Sequence, residues 1–288
     1  MMIVKGDLVT RRSYQHDILF RVQMIEQDEA ILFGEDIRLE ADAPIDDLIK
    51  VDETLKERFD QREEDQQAYS YRLFKQDYQL MKEQNKPDPI IEHEIHPHSF
   101  QIPAKVLHLD GDKQYLKKCI ELYKKLDIHV QGLYIEEENM PLEITSLIKR
   151  IQPNIIVITG HDAYSEKKGK KRELKAYRNT RYFVEAVRKA RELEPNLDQL
   201  IVFAGACQSH FQSLIRAGAN FASSPSRVNI HALDPVYIVA KLTHTSFMDK
   251  VTIEEALKHT RSKEEGIGGV ETRGCLRVGR PFIENLVD

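Results

Sequence analysis

The first fifty residues alternate between short apolar runs and polar, turn-prone residues. The runs at residues 6–10, 18–22, 30–33 and 37–39 have the length and composition of β-strands. Each run is too short to be stable alone, and closing such strands into a small barrel removes their exposed edges. The pattern predicts an SH3-like β-barrel over residues 1–50, a fold that binds peptides, RNA or a neighbouring domain.

From residue 52 onward, Glu, Gln, Lys and Arg dominate the composition, with scattered apolar and aromatic residues. This pattern predicts a helix to about residue 84 that packs on one side only, because a wide apolar face is missing. The sequence Lys86-Pro87-Asp88-Pro89 would end this helix, and residues 92–98 are typical of a linker. Residues 51–100 are therefore expected to form a helical connector and linker.

In residues 101–288, apolar runs alternate with helical segments. Two of the runs are almost wholly apolar, as in strands that are covered on both faces. The alternation predicts an α/β domain with a parallel sheet between two layers of helices, and Asp234 is expected to cap the last of these helices. The predicted strands are residues 105–109, 129–135, 154–159, 199–204 and 219–222, and the helices are residues 112–126, 141–151, 180–193, 208–216 and the segment from Asp234.

The chain has 288 residues, a net charge of −5 and 41% apolar residues. This charge argues against a general nucleic-acid-binding surface, and no run approaches the roughly 20 apolar residues of a membrane span. The first residues lack the apolar core of a secretory signal, and three cysteines do not suit a disulfide scaffold. We therefore expect a soluble, cytoplasmic protein without nucleic-acid or membrane partners.

Reactive side chains directly follow two of the predicted buried strands. Thr159-Gly160-His161-Asp162 ends the third strand, and Gly205-Ala206-Cys207-Gln208 ends the fourth. Parallel sheets bind ligands at the carboxyl ends of their strands, so neighbouring strands would bring His161 and Cys207 together. The start of the next helix would favour a Cys207 thiolate, beside which an imidazole could move protons. Either residue alone is more often structural, but the pair predicts a Cys207 nucleophile with His161 as its general base.

A strand ending in His, followed 46 residues later by a strand ending in Ala-Cys, resembles the caspase–gingipain–separase clan of cysteine peptidases. Over essentially its full length, including residues 1–50 and the segment Gly205-Ala206-Cys207-Gln208-Ser209-His210-Phe211, the chain resembles the YabG family of sporulation-specific proteases. This resemblance implies a caspase-like fold for residues 101–288. It also implies a cysteine endopeptidase without a cofactor that cleaves spore-coat proteins after arginine, in the mother-cell cytoplasm or at the spore coat.

The resemblance to the clan also implies an oxyanion hole, formed by the backbone N–H groups of the nucleophile and of the residue after the histidine. These are Cys207 and Asp162, although the clan has glycine where this chain has Asp162. A carboxylate beside a developing oxyanion is unfavourable unless it is turned away. Asp162 could instead orient His161 or contact a cationic substrate, and the sequence leaves these alternatives open.

In caspases the specificity pocket is lined after the first strand and two positions before the cysteine. By resemblance, the matching residues here are Asp110, Asp112 and Gly205. Two carboxylates and a glycine that leaves space would suit the guanidinium of an arginine. An equally good alternative is that Asp110 and Asp112 form a turn and cap the next helix.

The segment at residues 165–172 contains no apolar residue and is strongly basic. Its composition predicts an exposed, mobile loop, which is usually no more than a solvated charge run. A sharper hypothesis is that the loop is a flap over the substrate or a site of self-cleavage.

Three other functions compete with a cysteine peptidase. A zinc hydrolase could use His93, His96 and His98, or the closely spaced Cys207 and His210, but the helical H-E-x-x-H arrangement is missing and we expect no metal. A glutamine-amidotransferase-like hydrolase would need a second glycine after Cys207. A flavodoxin-like binding module would not depend on the pair at all, and a nucleotide cofactor is disfavoured because no glycine-rich phosphate loop follows the first strand.

Overall fold

The structure is a computed structural model that describes residues 2–84 and 100–279. Residues 8–50 form a five-stranded antiparallel sheet in the order β4-β3-β2-β1-β5, here called the N-terminal sheet. Apolar side chains alternate inward along it, and Val9, Phe20 and Leu32 are fully buried. Its strands are β1 (Leu8–Arg11), β2 (Phe20–Glu26), β3 (Glu29–Gly34), β4 (Glu40–Pro44) and β5 (Leu48–Lys50).

The strand predicted at residues 37–39 is wrong. Strand β3 ends at Gly34 and β4 begins at Glu40, so residues 35–39 connect them and are called the 35–39 loop. Ile37 and Leu39 form isolated bridges with His231 and Asp162, both outside the N-terminal sheet. The run therefore bridges to distant parts of the chain, although the Leu39 carbonyl oxygen also accepts the Gly34 N–H of β3.

A single helix, α1 (Glu53–Gln84), confirms the predicted connector helix. It packs on one side, where Phe74 is buried against Tyr237 and His259. The predicted helix-ending prolines and the linker at residues 92–98 lie outside the described residues.

Six strands form the second sheet in the order β13-β11-β10-β9-β7-β8. All are parallel except β13, which runs antiparallel at one edge. This sheet confirms the five predicted strands and adds β13, which was not predicted. Its strands are β7 (Val106–Asp110), β8 (Val130–Tyr134), β9 (Ile155–Thr159), β10 (Ile201–Ala204), β11 (Phe221–Ser223) and β13 (Ile267–Gly269); β6 (Phe100–Ile102), β12 (Lys250–Val251), β14 (Thr272–Arg273) and β15 (Arg277–Gly279) pair elsewhere in two short ladders.

Helices cover both faces of the second sheet, as predicted. One face packs against α3, α4 and α5, and the other packs against α2, α6 and the N-terminal sheet. The helices are α2 (Lys113–Lys125), α3 (Met140–Ile151), α4 (Thr180–Leu193), α5 (Phe211–Ala217) and α6 (Asp234–His244), with short α7 (Ile253–Leu257) and α8 (Lys263–Gly266) near the end.

Two predicted helix starts are wrong in detail. Helix α5 begins at Phe211 and not at residue 208, because His210 is its N-cap. Leu233 occupies the N-cap of α6, while the Asp234 carboxylate accepts hydrogen bonds from the backbone of Arg261 and Ser262.

Among the described residues, none of the helices combines the length and the apolar character that crossing a bilayer would require.

Candidate active site

His161 and Cys207 lie at the same edge of the second sheet. Strands β9 and β10 are parallel neighbours, so the loops that follow them emerge side by side. The backbone N–H groups of Asp162 and Cys207 both donate to one oxygen, the carbonyl oxygen of Arg38, at 3.4 and 3.2 Å. The two loops therefore converge on a single point, and the crevice at this edge is called the rim crevice.

His161 is buried between two aromatic rings. Its ring stacks on Phe33 of β3 with centroids 3.8 Å apart, and Tyr115 of α2 lies 5.2 Å away on centroids. The Nε2 atom has no hydrogen-bond partner among the described residues, although Asp112 Oδ2 lies 3.4 Å from it. The two aromatic rings and the Asp112 carboxylate therefore surround the imidazole at this edge of the sheet.

Glu137 is a second carboxylate beside His161 that the sequence did not reveal. Its Oε1 accepts the backbone N–H of His161 at 2.8 Å and lies 3.8 Å from Nδ1 of the ring. A Cβ at Gly111 or Gly160 would collide with the Glu137 carboxylate, so both glycines make room for it. These two glycines, each next to a candidate site residue, were the only feature of the sequence that could have indicated a side chain approaching His161 here.

Cys207 is completely buried, and its sulfur lies against Ile230. The Sγ atom is 3.2 Å from the Ile230 N–H and 3.6 Å from its carbonyl oxygen. Burial raises the pKa of the Cys207 thiol well above its usual value. Because α5 starts four residues later, the expected stabilisation of a thiolate by that helix terminus is wrong for this state.

The Asp162 carboxylate is turned away from the rim crevice. Its Oδ1 accepts the N–H groups of Ala163 and Asn179, and its Oδ2 accepts the hydroxyls of Thr180 and Ser209. Burial raises its pKa to about 6 even though these bonds favour the charged form. Its four acceptor bonds join the loop after β9, the start of α4 and the turn after Cys207, so neither alternative role for Asp162 is seen.

Arg38, in the 35–39 loop, fills a buried pocket beside the rim crevice. Its guanidinium lies 3.0 and 2.9 Å from the two carboxylate oxygens of Asp110 and donates to the carbonyl oxygen of Ala232 at 3.0 Å. Tyr115 lies under the guanidinium, and Cys119 Sγ is 3.6 Å from one of its nitrogens. Burial disfavours charge on Asp110, but Arg38 outweighs this effect and holds the pKa of the carboxyl below its usual value.

The three residues predicted to line an arginine pocket make different contacts in the structure. Asp110 contacts an arginine directly. Asp112 instead caps α2, where its side chain accepts the N–H groups of Gln114 and Tyr115. Gly205 has a φ of +108°, and a Cβ there would meet Leu214, Ser223 and Ser209, which are not among the hydrogen-bond partners of the Arg38 guanidinium.

Among the described residues, one group could bring metal ligands together: His108, Asp110 and Cys119. The Arg38 guanidinium contacts Asp110 and Cys119, so this cluster already surrounds a cation. His210, which has ligand-like spacing from Cys207, instead accepts the Ser213 N–H at the start of α5. His93, His96 and His98 lie outside the described residues.

The basic segment at residues 165–172 is largely exposed, as predicted. Tyr164 and Tyr177 donate hydrogen bonds to the carbonyl oxygens of Gly169 and Lys171, which fold the segment back on its own ends. Beyond it, Arg178 pairs with Glu40 of β4 at 2.8 Å and so links this loop to the N-terminal sheet.

The wall of the rim crevice formed by residues 230–232 is supported by Glu63 of α1. The Glu63 carboxylate lies 2.7 Å from His231 Nε2 and accepts a hydrogen bond from the Arg261 guanidinium at 2.7 Å. Burial opposes the charge on Glu63, but these bonds outweigh it and hold its pKa well below the usual value of 4.5. The helical connector thus stabilises the crevice through one buried carboxylate.

Replacing this carboxylate by an amide, Glu63→Gln, should lower the free energy of unfolding by about 3 kcal/mol at neutral pH, because the Arg261 guanidinium loses its counter-charge. A folded-state pKa below the unfolded value gives stability that is present above about pH 5 and is lost as the pH falls through the folded pKa. The difference in the free energy of unfolding between Glu63→Gln and wild type should therefore become smaller as the pH falls from about 5 to 3. Denaturant titrations of Glu63→Gln and of a control variant, Glu64→Gln at an exposed neighbouring residue, would measure this loss of stability. Equal stability of the two variants at neutral pH would contradict the stabilising role of Glu63.

Comparison with known proteins identifies the family of this chain. A family model described as YabG peptidase U57 matches residues 4–281. The sporulation-specific protease YabG of Bacillus subtilis (strain 168) is 50% identical over 285 residues, which cover 97% of this chain and 98% of that protein. The chain therefore belongs to the YabG peptidase U57 family and is a peptidase that acts on protein substrates.

Proposed function

We propose that this chain is a cysteine endopeptidase that cleaves after arginine, with Cys207 as nucleophile and His161 as general base and acid. One observation carries the proposal: Arg38 is held as the arginine of a substrate would be. Its carbonyl oxygen receives the N–H groups of Asp162 and Cys207 while its side chain pairs with Asp110. We take this residue to fill the place of a substrate arginine in both the oxyanion hole and the specificity pocket.

In this mechanism the Cys207 thiol gives its proton to His161, and the sulfur attacks the carbonyl carbon of the substrate arginine. The carbonyl oxygen becomes an oxyanion that the two backbone N–H groups stabilise. When the carbon–nitrogen bond breaks, His161 returns the proton to the departing amine and leaves a thioester. Water, activated by His161, then attacks the thioester and regenerates the thiol.

The alternative nucleophile, Cys119, is in the wrong place for this reaction. Its sulfur lies beside the guanidinium of Arg38 and not beside the carbonyl group. The neighbouring His108 lies against Asp110 at 3.3 Å, and burial lowers its pKa. Cys119 and His108 therefore support recognition of the side chain, and the reaction falls to Cys207.

At the level of the fold, we propose an SH3-like barrel over residues 1–50, a helical connector over residues 51–100 and a caspase-like peptidase domain over residues 101–288. The five short antiparallel strands support the first, and a parallel sheet with both candidate catalytic residues at its carboxyl edge supports the last. The printed name of the relative supports a role in sporulation. We propose spore-coat proteins as substrates, met in the mother-cell cytoplasm or at the coat.

Peptides that differ at one position test the proposed specificity. Cleavage is expected after arginine, and replacement by citrulline, which has nearly the same shape but no charge, should reduce kcat/KM by about 10²-fold or more because buried Asp110 loses its counter-ion. The lysine peptide should have a kcat/KM between those of the arginine and citrulline peptides, because lysine carries a charge but cannot make the paired contacts of a guanidinium. Mass spectrometry of the products gives the cut site and the rate, and equal cleavage of the arginine and citrulline peptides would refute the assignment.

A further inference from the structure

The 35–39 loop passes through the rim crevice with Arg38 at the centre of a tight turn, in which the Leu39 N–H donates to the Ile37 carbonyl oxygen at 2.8 Å. On one side of Arg38, its own N–H donates to the Ile230 carbonyl oxygen at 3.3 Å, and Ile37 pairs with His231. On the other side, Leu39 pairs with Asp162. Backbone pairing on both sides of one residue is a way in which a peptide segment is held at a binding site.

Both candidate catalytic residues are buried beside this loop. Phe33, just before the loop, stacks on the His161 ring, and Cys207 is completely buried. A peptide from another protein could reach neither residue while the loop is in place.

We propose that the 35–39 loop is a built-in competitive inhibitor, so that the intact chain is latent until this loop leaves the rim crevice. The inference rests on the proposed function, because it takes the rim crevice to be the substrate site. A purely structural role, in which Arg38 and Asp110 only fasten the N-terminal sheet to the second sheet, is the competing explanation.

The loop is anchored at both ends, which explains how it can resemble a substrate and still remain uncleaved in the rim crevice. Strands β3 and β4 pair next to it, and the Gly34 N–H donates to the Leu39 carbonyl oxygen at 2.9 Å. The Tyr115 hydroxyl donates to the Ile37 carbonyl oxygen at 2.6 Å, and Lys118 pairs with Asp36 at 2.8 Å. These contacts hold both sides of the Arg38–Leu39 bond.

Anchoring of this kind favours the intact bond even if Cys207 attacks it. Attack on the Arg38 carbonyl carbon would form a thioester and release the Leu39 amine. That amine would remain tethered beside the thioester by β4, at a high effective concentration. It would attack the thioester, expel the Cys207 thiol and restore the peptide bond before water could replace it.

Removing the arginine side chain should activate the enzyme. In Arg38→Ala, both kcat/KM for an arginine peptide and the rate at which an arginyl acyloxymethyl ketone alkylates Cys207 should rise about 100-fold, corresponding to a crevice that is free about 1% of the time in wild type. Arg12→Ala, the same change at an exposed arginine of the N-terminal sheet region, should leave both rates unchanged. Equal rates in wild type and Arg38→Ala would overturn the proposal while leaving the peptidase assignment intact.

Two further measurements distinguish the proposed activation from a loss of folding in Arg38→Ala. Arg38→Lys keeps a cation beside Asp110 and should still activate about 10-fold, because the paired contacts are lost. Agmatine, which carries the guanidinium of arginine, should raise the Tm of Arg38→Ala but not of wild type, whose pocket is filled. Equal stabilisation of both proteins by agmatine would overturn the proposal. A folded Arg38→Ala that neither cleaves peptides nor is alkylated at Cys207 would overturn the proposed function and this inference with it.

Discussion

Replacing Cys207 by alanine is expected to lower cleavage after arginine by about 10⁴-fold or more. Without the sulfur no thioester can form, and only the oxyanion hole and substrate binding would still accelerate hydrolysis. The sulfur is also small and fully buried, so Cys207→Ala removes little volume and should leave the fold intact. Activity is best measured in the Arg38→Ala background, where the 35–39 loop no longer competes with the peptide.

Two other cysteines supply matched controls for this variant. Cys275→Ala, far along the chain from the rim crevice, should not change kcat or KM. Cys119→Ala should change KM by a few-fold and leave kcat nearly unchanged, because Cys119 contacts the guanidinium and not the reacting carbonyl. Loss of cleavage in Cys119→Ala with retention in Cys207→Ala would reverse the assignment of the nucleophile.

Asp110→Asn is expected to have two large effects with one cause, an arginine that loses its buried counter-ion. For peptide cleavage, kcat/KM should fall about 10²- to 10³-fold, mostly through KM, since Asp110 touches the side chain and not the scissile bond. For the intact chain, Arg38 becomes an unpaired buried charge, and the free energy of unfolding should fall by about 3–5 kcal/mol.

A double-mutant cycle separates this pair from a general loss of stability. Adding Arg38→Ala to Asp110→Asn removes the unpaired charge, so the double variant should be more stable than the sum of the two single changes predicts. Asp127→Asn, the same change at an exposed carboxylate just after α2, should alter neither stability nor KM appreciably. Strictly additive effects of Arg38→Ala and Asp110→Asn would show that the two side chains are not coupled.

Much of the fold around the second sheet could be predicted because its signals are local. The apolar runs at residues 154–159 and 199–204 form buried parallel strands, and α4 has the predicted bounds. Parallel strands end at a common edge, so the pattern predicted that the loops of His161 and Cys207 would meet if their strands were neighbours. The structure shows that these strands are neighbours.

The errors arose where a contact from a distant part of the chain decided the local conformation. The alternation Ile37-Arg38-Leu39 reads as a strand, but its partners are His231 and Asp162, which no local pattern connects to it. The strand ends are also shifted by a few residues, as expected where hydrogen bonds fray. Glu137 was missed for the same reason, because it approaches His161 from a loop after a different strand.

The sequence by itself determined the order of strands and helices, the edge of the sheet at which chemistry would be found, and the residue types present there. Those properties follow from hydrophobic periodicity and chain connectivity, which are written in neighbouring residues. Only the tertiary structure decided that Asp162 turns away, that Asp110 and not Asp112 meets an arginine, and that this arginine is the chain's own Arg38. Arg38 and Asp110 are separated by 72 positions, and pairing over that distance depends on how two sheets pack against each other.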